Sequence, residues 1–314
     1  MPLFKVAAGQ VAFSKPCTRP TPRCSRFAPL ALRKRLMPTV GRLRTIRYNV
    51  RMISLIGKVA LVTGATRGVG NGVALALAEA GATVYATGRT IAEDTFATSG
   101  RIIPLRCDHT QDAEVEAVFR RLANEHLSLD ILVNNVWGGY ENMVQAGAFT
   151  WTLPFWQQPL WRWDAMFASG VRAHYVASAH AARKMVAQQS GLIVNISFWA
   201  AQKHLSNVAY GVSKAATDKL TADMAHELRD HQVAVVSVYP GLVRTEKVMA
   251  SAASFDLSNS ESPQFTGRAV AALASDPNLL EKSGRVLVVA ALAQEYGFTD
   301  IDGRQPRPIR LEET

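Results

Sequence analysis

Apolar positions along the chain fall into two patterns that alternate. Short, largely apolar runs recur at residues 59–62, 83–87, 131–133, 191–197, 233–239 and 285–290, and a more mixed run lies at 101–106. Runs of this length, rich in Val and Ile, read as strands buried on both faces. Between them the apolar residues return at helical spacing. Val73, Leu75, Leu77 and Ala78 lie in an alanine-rich helix that ends at Gly81. Val115, Val118, Phe119 and Leu122 mark a second helix. Met166, Val171, Tyr175, Ala179, Ala182 and Val186 mark a long one over 164–188, and a further run covers 210–228. Strand alternating with helix predicts one α/β domain with a doubly wound, mostly parallel sheet of about seven strands. Such a sheet binds ligands at the carboxyl ends of its strands.

Composition changes the picture at the N-terminus. The 314 residues are 48% hydrophobic, and no apolar run approaches eighteen residues, so no transmembrane segment is expected. The net charge of +10 is uneven. Residues 1–56 carry 12 Lys and Arg and no acid, which leaves 23 basic against 25 acidic residues in the remainder. The body is therefore near neutral and gives no reason to expect nucleic acid as a partner. Residues 1–51 lack the apolar core of a secretory signal. They read as an Arg-rich transit segment or, preferably, as a stretch upstream of a start at Met52. The domain is placed at 52–303, with a Pro- and Arg-rich tail at 304–314 expected to be loose. Only Cys107 lies in the body, which fits a reducing compartment. The cytoplasm is the expected location, or a mitochondrion or plastid if the leader is a transit segment.

Two motifs carry chemistry. Tyr210 and Lys214 stand four apart on a helix and so share a face. A cation beside a phenol favours the phenolate and lowers its pKa, which suits proton exchange with a carbonyl or alcohol. Upstream, the strand at 59–62 runs into a turn containing Thr63, Gly64, Thr66, Arg67, Gly68, Val69 and Gly70, and then into a helix. Strand, glycine-rich turn and helix together make a phosphate-binding context, with free N–H groups at the helix start. Arg89 ends the second strand where an acid would bind ribose hydroxyls, and Arg67 lies inside the turn. Guanidinium groups suit a 2′-phosphate, so NADP(H) is expected over NAD(H).

Together the two motifs resemble the short-chain dehydrogenase/reductase family over residues 55–303, which implies a Rossmann-type fold and hydride transfer. The resemblance implies further cofactor contacts from Asp108, Asn134, Pro240, Gly241, Val243 and Thr245. It implies that Tyr210 transfers the proton, that Lys214 lowers its pKa and contacts the ribose, and that Ser197 polarises the carbonyl. Ser197 stands thirteen residues before Tyr210, as in the family, but Phe198 follows it where a second serine is usual. Ser206 is the weaker candidate for that hydroxyl. Gly170 stands where most members have a relay asparagine, and Trp137 follows the paired asparagines 134 and 135. Five of six tryptophans lie within 137–163, so an aromatic loop is expected to wall an apolar substrate pocket with Trp137, Tyr140, Phe198 and Trp199. Residues 246–263 have the composition of a lid. The resemblance implies a homodimer or homotetramer, a small apolar carbonyl or alcohol as substrate, and no metal. A cofactor-binding scaffold with lost chemistry stays open, on Gly170 and Phe198. So does an adaptor working through the basic leader.

Overall fold

A computed structural model of the protein describes residues 53–96, 101–141, 143–145 and 148–313. The leader at 1–51 and Met52 lie outside these residues. The first half of the fold runs β1 (Val59–Val62), α1 (Gly68–Glu79), β2 (Thr83–Gly88), β3 (Ile102–Arg106), α2 (Asp112–Glu125) and β4 (Ile131–Asn134). A small hairpin follows, β5 (Val144–Gln145) with β6 (Ala148–Phe149). Next come α3 (Leu160–Phe167), α4 (Ala173–Gln188), β7 (Gly191–Ile196), α5 (Val208–Leu228) and β8 (Val233–Tyr239). The chain closes with α6 (Glu246–Met249), α7 (Pro263–Ala274), β9 (Val286–Val288) and α8 (Val289–Tyr296).

Seven strands form one sheet in the order β3-β2-β1-β4-β7-β8-β9, every pair parallel. The strand order reverses between β1 and β4, and a crevice opens there at the carboxyl ends. Alternate residues of β1 face opposite layers. Ala60 and Val62 join Val73, Leu77, Phe265 and Val270 on the side of α1 and α7. Val59 and Leu61 join Val115, Leu122, Ala177 and Met185 on the side of α2 and α4. Both layers are dry, which explains the unbroken apolar strands.

Three local expectations are corrected. The last strand stops at Val288 instead of 290, and the chain turns helical at Val289. Val289, Ala290, Leu292 and Ala293 are buried together, a helical spacing that overrides the β-branched run before it. The long helix starts at Leu160, and a wider π turn at Ala168–Arg172 separates α3 from α4. The tail is docked rather than loose. Gln305 Nε2 donates to the carbonyls of Ala293 and Phe298 at 2.9 and 3.1 Å. Arg307 and Asn259 exchange two hydrogen bonds, and Pro306 is buried.

One buried carboxylate fixes the C-terminal segment to the sheet's far end. Asp300 accepts from Ser262 N at 2.7 Å and from the Ser262 hydroxyl, and that serine caps α7. Arg244 Nη2 donates to Asp300 at 3.1 Å. Removing one member of a buried ion pair leaves the other desolvated and unpaired. Asp300→Ala should therefore destabilise the fold by about 3–5 kcal/mol in equilibrium denaturation. A change within ±0.5 kcal/mol, the range of a surface substitution, would show that Arg244 and Ser262 find other partners.

Candidate active site

The glycine-rich turn is sewn to the end of β4. Thr63 Oγ1 donates to Val133 O at 3.2 Å and accepts from the backbone N–H groups of Asn135 and Val136. Asn135 Nδ2 donates to the carbonyls of Thr63 and Gly64 at 3.1 and 2.9 Å. A Cβ on Gly70 would lie 2.3 Å from that amide nitrogen and 2.4 Å from Gly64 O. Only glycine lets the first turn of α1 settle against the loop. Arg67 precedes α1 without a side-chain cap, and the first turn contains no acid. The Gly68 N–H is instead given to the Glu246 carboxylate, 3.1 Å away, which reaches over from α6. An anion therefore already sits on this helix start, so the site fits the pyrophosphate of a dinucleotide.

The remaining cofactor candidates surround this turn. Ala65 N donates to Thr87 O at 2.8 Å, which holds the turn beside the end of β2. Arg67 and Arg89 are both exposed there, and Arg89 lies 3.7 Å from the Glu141 carboxylate. Asp108 accepts from Thr110 N and Oγ1 at 3.0 and 2.8 Å, so it shapes the turn into α2. Asn134 is fully buried and donates to Ser178 Oγ and Asn195 Oδ1. It is a brace beneath the cleft, while Asn135 touches the turn. Beyond β8, Pro240 and Val243 are buried, Val243 bridges to Glu261, and Thr245 caps α6. Glu261 accepts from the Gly241 backbone, and burial pushes its carboxyl up to about 8.

Tyr210 and Lys214 come together as the spacing requires. Asn207 caps α5 by accepting from Tyr210 N at 3.0 Å, and its own amide donates to Trp151 O. The cap thus fixes Tyr210 and the aromatic loop at once. Both Tyr210 and Lys214 are buried. Lys214 Nζ donates to Ile196 O at 3.1 Å and lies 3.9 Å above the Trp137 ring centre. Burial pulls its pKa down to about 7, opposed by the Asp218 carboxylate. Aromatic rings enclose Tyr210, with Trp137 and Trp151 each at 5.5 Å, Tyr140 at 6.1 Å and Phe198 at 6.3 Å between centroids. Burial, followed by the charge and hydrogen bond of Tyr140, holds the Tyr210 pKa well above 10. Desolvation by the surrounding rings is the largest cause of that rise.

Ser197 is not brought to the Tyr210 hydroxyl. It is buried, and its Oγ donates to Lys214 O at 3.3 Å, with Asp218 and Tyr239 as further partners. Strand alternation turns the next side chain, Phe198, toward Tyr210 instead. Trp199 is likewise outside the pocket, packed edge-on against Tyr239. Sequence reasoning missed Trp151, which no spacing marked, and Asp218, which the i+4 step from Lys214 could have found. The two unusual residues explain each other. A Cβ on Gly170 would lie 2.4 Å from the Trp137 ring, so the indole fills the space in which a larger side chain would stand.

The short chain dehydrogenase family model matches residues 58–254. The chain is a short-chain dehydrogenase/reductase. It is 45% identical over 268 residues to dehydrogenase/reductase SDR family member 1 of Mus musculus, covering 79% of this chain and 84% of that one. The Homo sapiens protein of the same name is 41% identical over the same shares. A crystal structure of a short-chain type dehydrogenase/reductase from Mycobacterium marinum superimposes with a TM-score of 0.63 at 30% identity, over 76% of this chain and 95% of the other. Membership of this family implies a nicotinamide cofactor and oxidoreductase chemistry.

In this short-chain dehydrogenase/reductase the contact between Gly170 and Trp137 is open to a double-mutant cycle. Gly170→Ala should cost about 1–3 kcal/mol of stability, the usual range for overpacking. In a Trp137→Ala background the same methyl should cost little, so thermal or chemical denaturation should show strong non-additivity. Simple additivity would mean that the ring does not set the space at Gly170.

Proposed function

We propose that the protein reduces apolar ketones or aldehydes to alcohols with NADPH. The observation that carries this reading is Tyr210, a buried phenol kept protonated inside a ring of aromatic faces, one helical turn from Lys214. A protonated phenol in a dry pocket is a proton donor, which suits reduction of a carbonyl. When bound, the cofactor supplies a hydride to the carbonyl carbon. Thr63, Gly64, Thr66, Gly68, Val69 and Gly70 would cradle its pyrophosphate, with Glu246 displaced from the Gly68 N–H. Asp108, Pro240, Gly241, Val243 and Thr245 would line the rest of the cofactor site, with Asn134 bracing it from beneath.

The chain's own residues do the rest. Trp137, Trp151 and Phe198 exclude water from the carbonyl and match an apolar substrate. Tyr210 gives its proton to the carbonyl oxygen. Lys214, its charge supported by the Trp137 face, steadies the phenolate that remains. Ser197 braces the carbonyl of Lys214 and so fixes the start of α5 against β7. A cytoplasmic homodimer or homotetramer is the form expected with this reading. A scaffold that binds cofactor without turnover is the second reading, favoured by the turned-away Ser197 hydroxyl.

Tyr210→Phe should keep the fold and bind cofactor but lower turnover by roughly 10²–10⁴-fold in an NADPH-oxidation assay with aryl ketones and aldehydes. Near-normal turnover would remove Tyr210 from the mechanism. No turnover of any carbonyl by the unmodified protein would favour the scaffold.

The cofactor preference rests on Arg67 and Arg89, two exposed guanidinium groups beside the turn. NADPH should bind more tightly than NADH in fluorescence titrations, each charged contact contributing about 1.5–3 kcal/mol. Replacing both arginines with Ala should weaken NADPH and leave NADH little changed. Equal binding of the two cofactors by the unmodified protein would exclude the preference.

A further inference from the structure

We propose that Tyr140 supplies the second hydrogen bond to the substrate carbonyl oxygen, replacing a serine hydroxyl at the end of β7. The proposal rests on Tyr210 being the proton donor. Its starting point is a shortage of donors. A carbonyl oxygen that gains negative charge is stabilised by two hydrogen bonds aimed at it. At the end of β7, where such a hydroxyl is expected, Ser197 faces Lys214 O and Phe198 faces Tyr210. Phe198 has no donor to offer.

Tyr140 belongs to the aromatic wall around Tyr210. It lies in the segment after β4, with its ring between those of Trp137 at 5.8 Å and Trp151 at 5.3 Å. About a third of the residue stays exposed at the rim. Its ring centre lies 6.1 Å from that of Tyr210, and a hydrogen bond between the two phenols contributes to the pKa of each. Desolvation raises the pKa of both phenols. Two phenols that share one hydrogen bond hold two protons but use only one between them. A carbonyl oxygen entering between the two hydroxyls can take both.

The balance of the reduction is simple. A hydride from the bound NADPH forms the new C–H bond, and the Tyr210 proton forms the new O–H bond. Tyr140 keeps its own proton throughout. Its O–H turns back to the Tyr210 phenolate once the alcohol has formed. The two phenols and the aromatic walls select a carbonyl whose flanks are apolar and whose oxygen is unhindered.

The test pairs kinetics with vibrational spectroscopy. The probe is the aryl ketone turned over fastest in the NADPH-oxidation screen, labelled with ¹³C at its carbonyl. It is bound with oxidised cofactor so that no reaction occurs. Tyr140→Phe should lower kcat by roughly 10²–10³-fold, as for other lost oxyanion donors, with little change in KM. The carbonyl band of the bound ketone should move back toward its frequency in an apolar solvent. Phe198→Ser in the Tyr140→Phe background should restore part of both, because that side chain faces Tyr210. Melting temperature and NADPH affinity serve as the check that each variant is folded.

An unchanged band and kcat in folded Tyr140→Phe, with Tyr210→Phe inactive, would overturn the Tyr140 proposal and leave the reductase reading standing. Losses on Ser206→Ala in place of Tyr140→Phe would also overturn it. Full turnover in both tyrosine variants would overturn the proposal and the reading together.

Discussion

The parallel pairing of β1 with β4 is the constraint on which the site depends. Ala60 registers with Ile131 and Val62 with Val133, so both strands end at the same level. The chain leaves β1 toward one layer and β4 toward the other, and the gap between their ends is the crevice. Polar side chains then hold the gap to a fixed width. Asn135 donates two hydrogen bonds across it to Thr63, and its amide leaves no room for a side chain at Gly70. A second polar chain runs beneath, from Asn134 through Asn195 to Thr221 and Ser237. The Asn134 amide nitrogen, Asn195, Thr221 and Ser237 are buried and partnered, as polar atoms inside a sheet must be, while Asn134 Oδ1 is buried without a partner.

The face of α5 that carries Tyr210 and Lys214 is governed by desolvation. A protonated lysine and a phenol enclosed by rings both lose hydration, and the pKa values move accordingly, Lys214 down and Tyr210 up. The indole of Trp137 offsets part of the lysine's loss by presenting its face to the ammonium. That placement needs the space above Gly170, so one glycine and one tryptophan act as a single feature. The same aromatic wall that covers Tyr210 also raises its pKa.

The far end of the cleft is held by charge. Arg244 donates to Asp300, to Asp302 and to Ser260, and Asp300 in turn holds the start of α7. Glu261 lies between this cluster and Gly241, close enough for the loop after β8 to be shaped by both. The segment that looks like a loose lid in the sequence is therefore held at 260–262 by buried carboxylates, and the tail by the amides of Gln305 and Asn259.

The sequence by itself determined the layers, the strand order class, the glycine turn and the pairing of Tyr210 with Lys214. Each follows from local periodicity or from spacing along one element, and both are properties of the backbone. It did not determine which way Ser197 faces, since that depends on where β7 ends against β8 and α5. It did not mark Trp151 as a neighbour of Tyr210 either, because a loop has no period to read. Nor could it give the direction of the Tyr210 pKa, which charge alone would have lowered. Only the tertiary structure decided these points, because burial and contact between distant segments are set when the aromatic loop closes over α5.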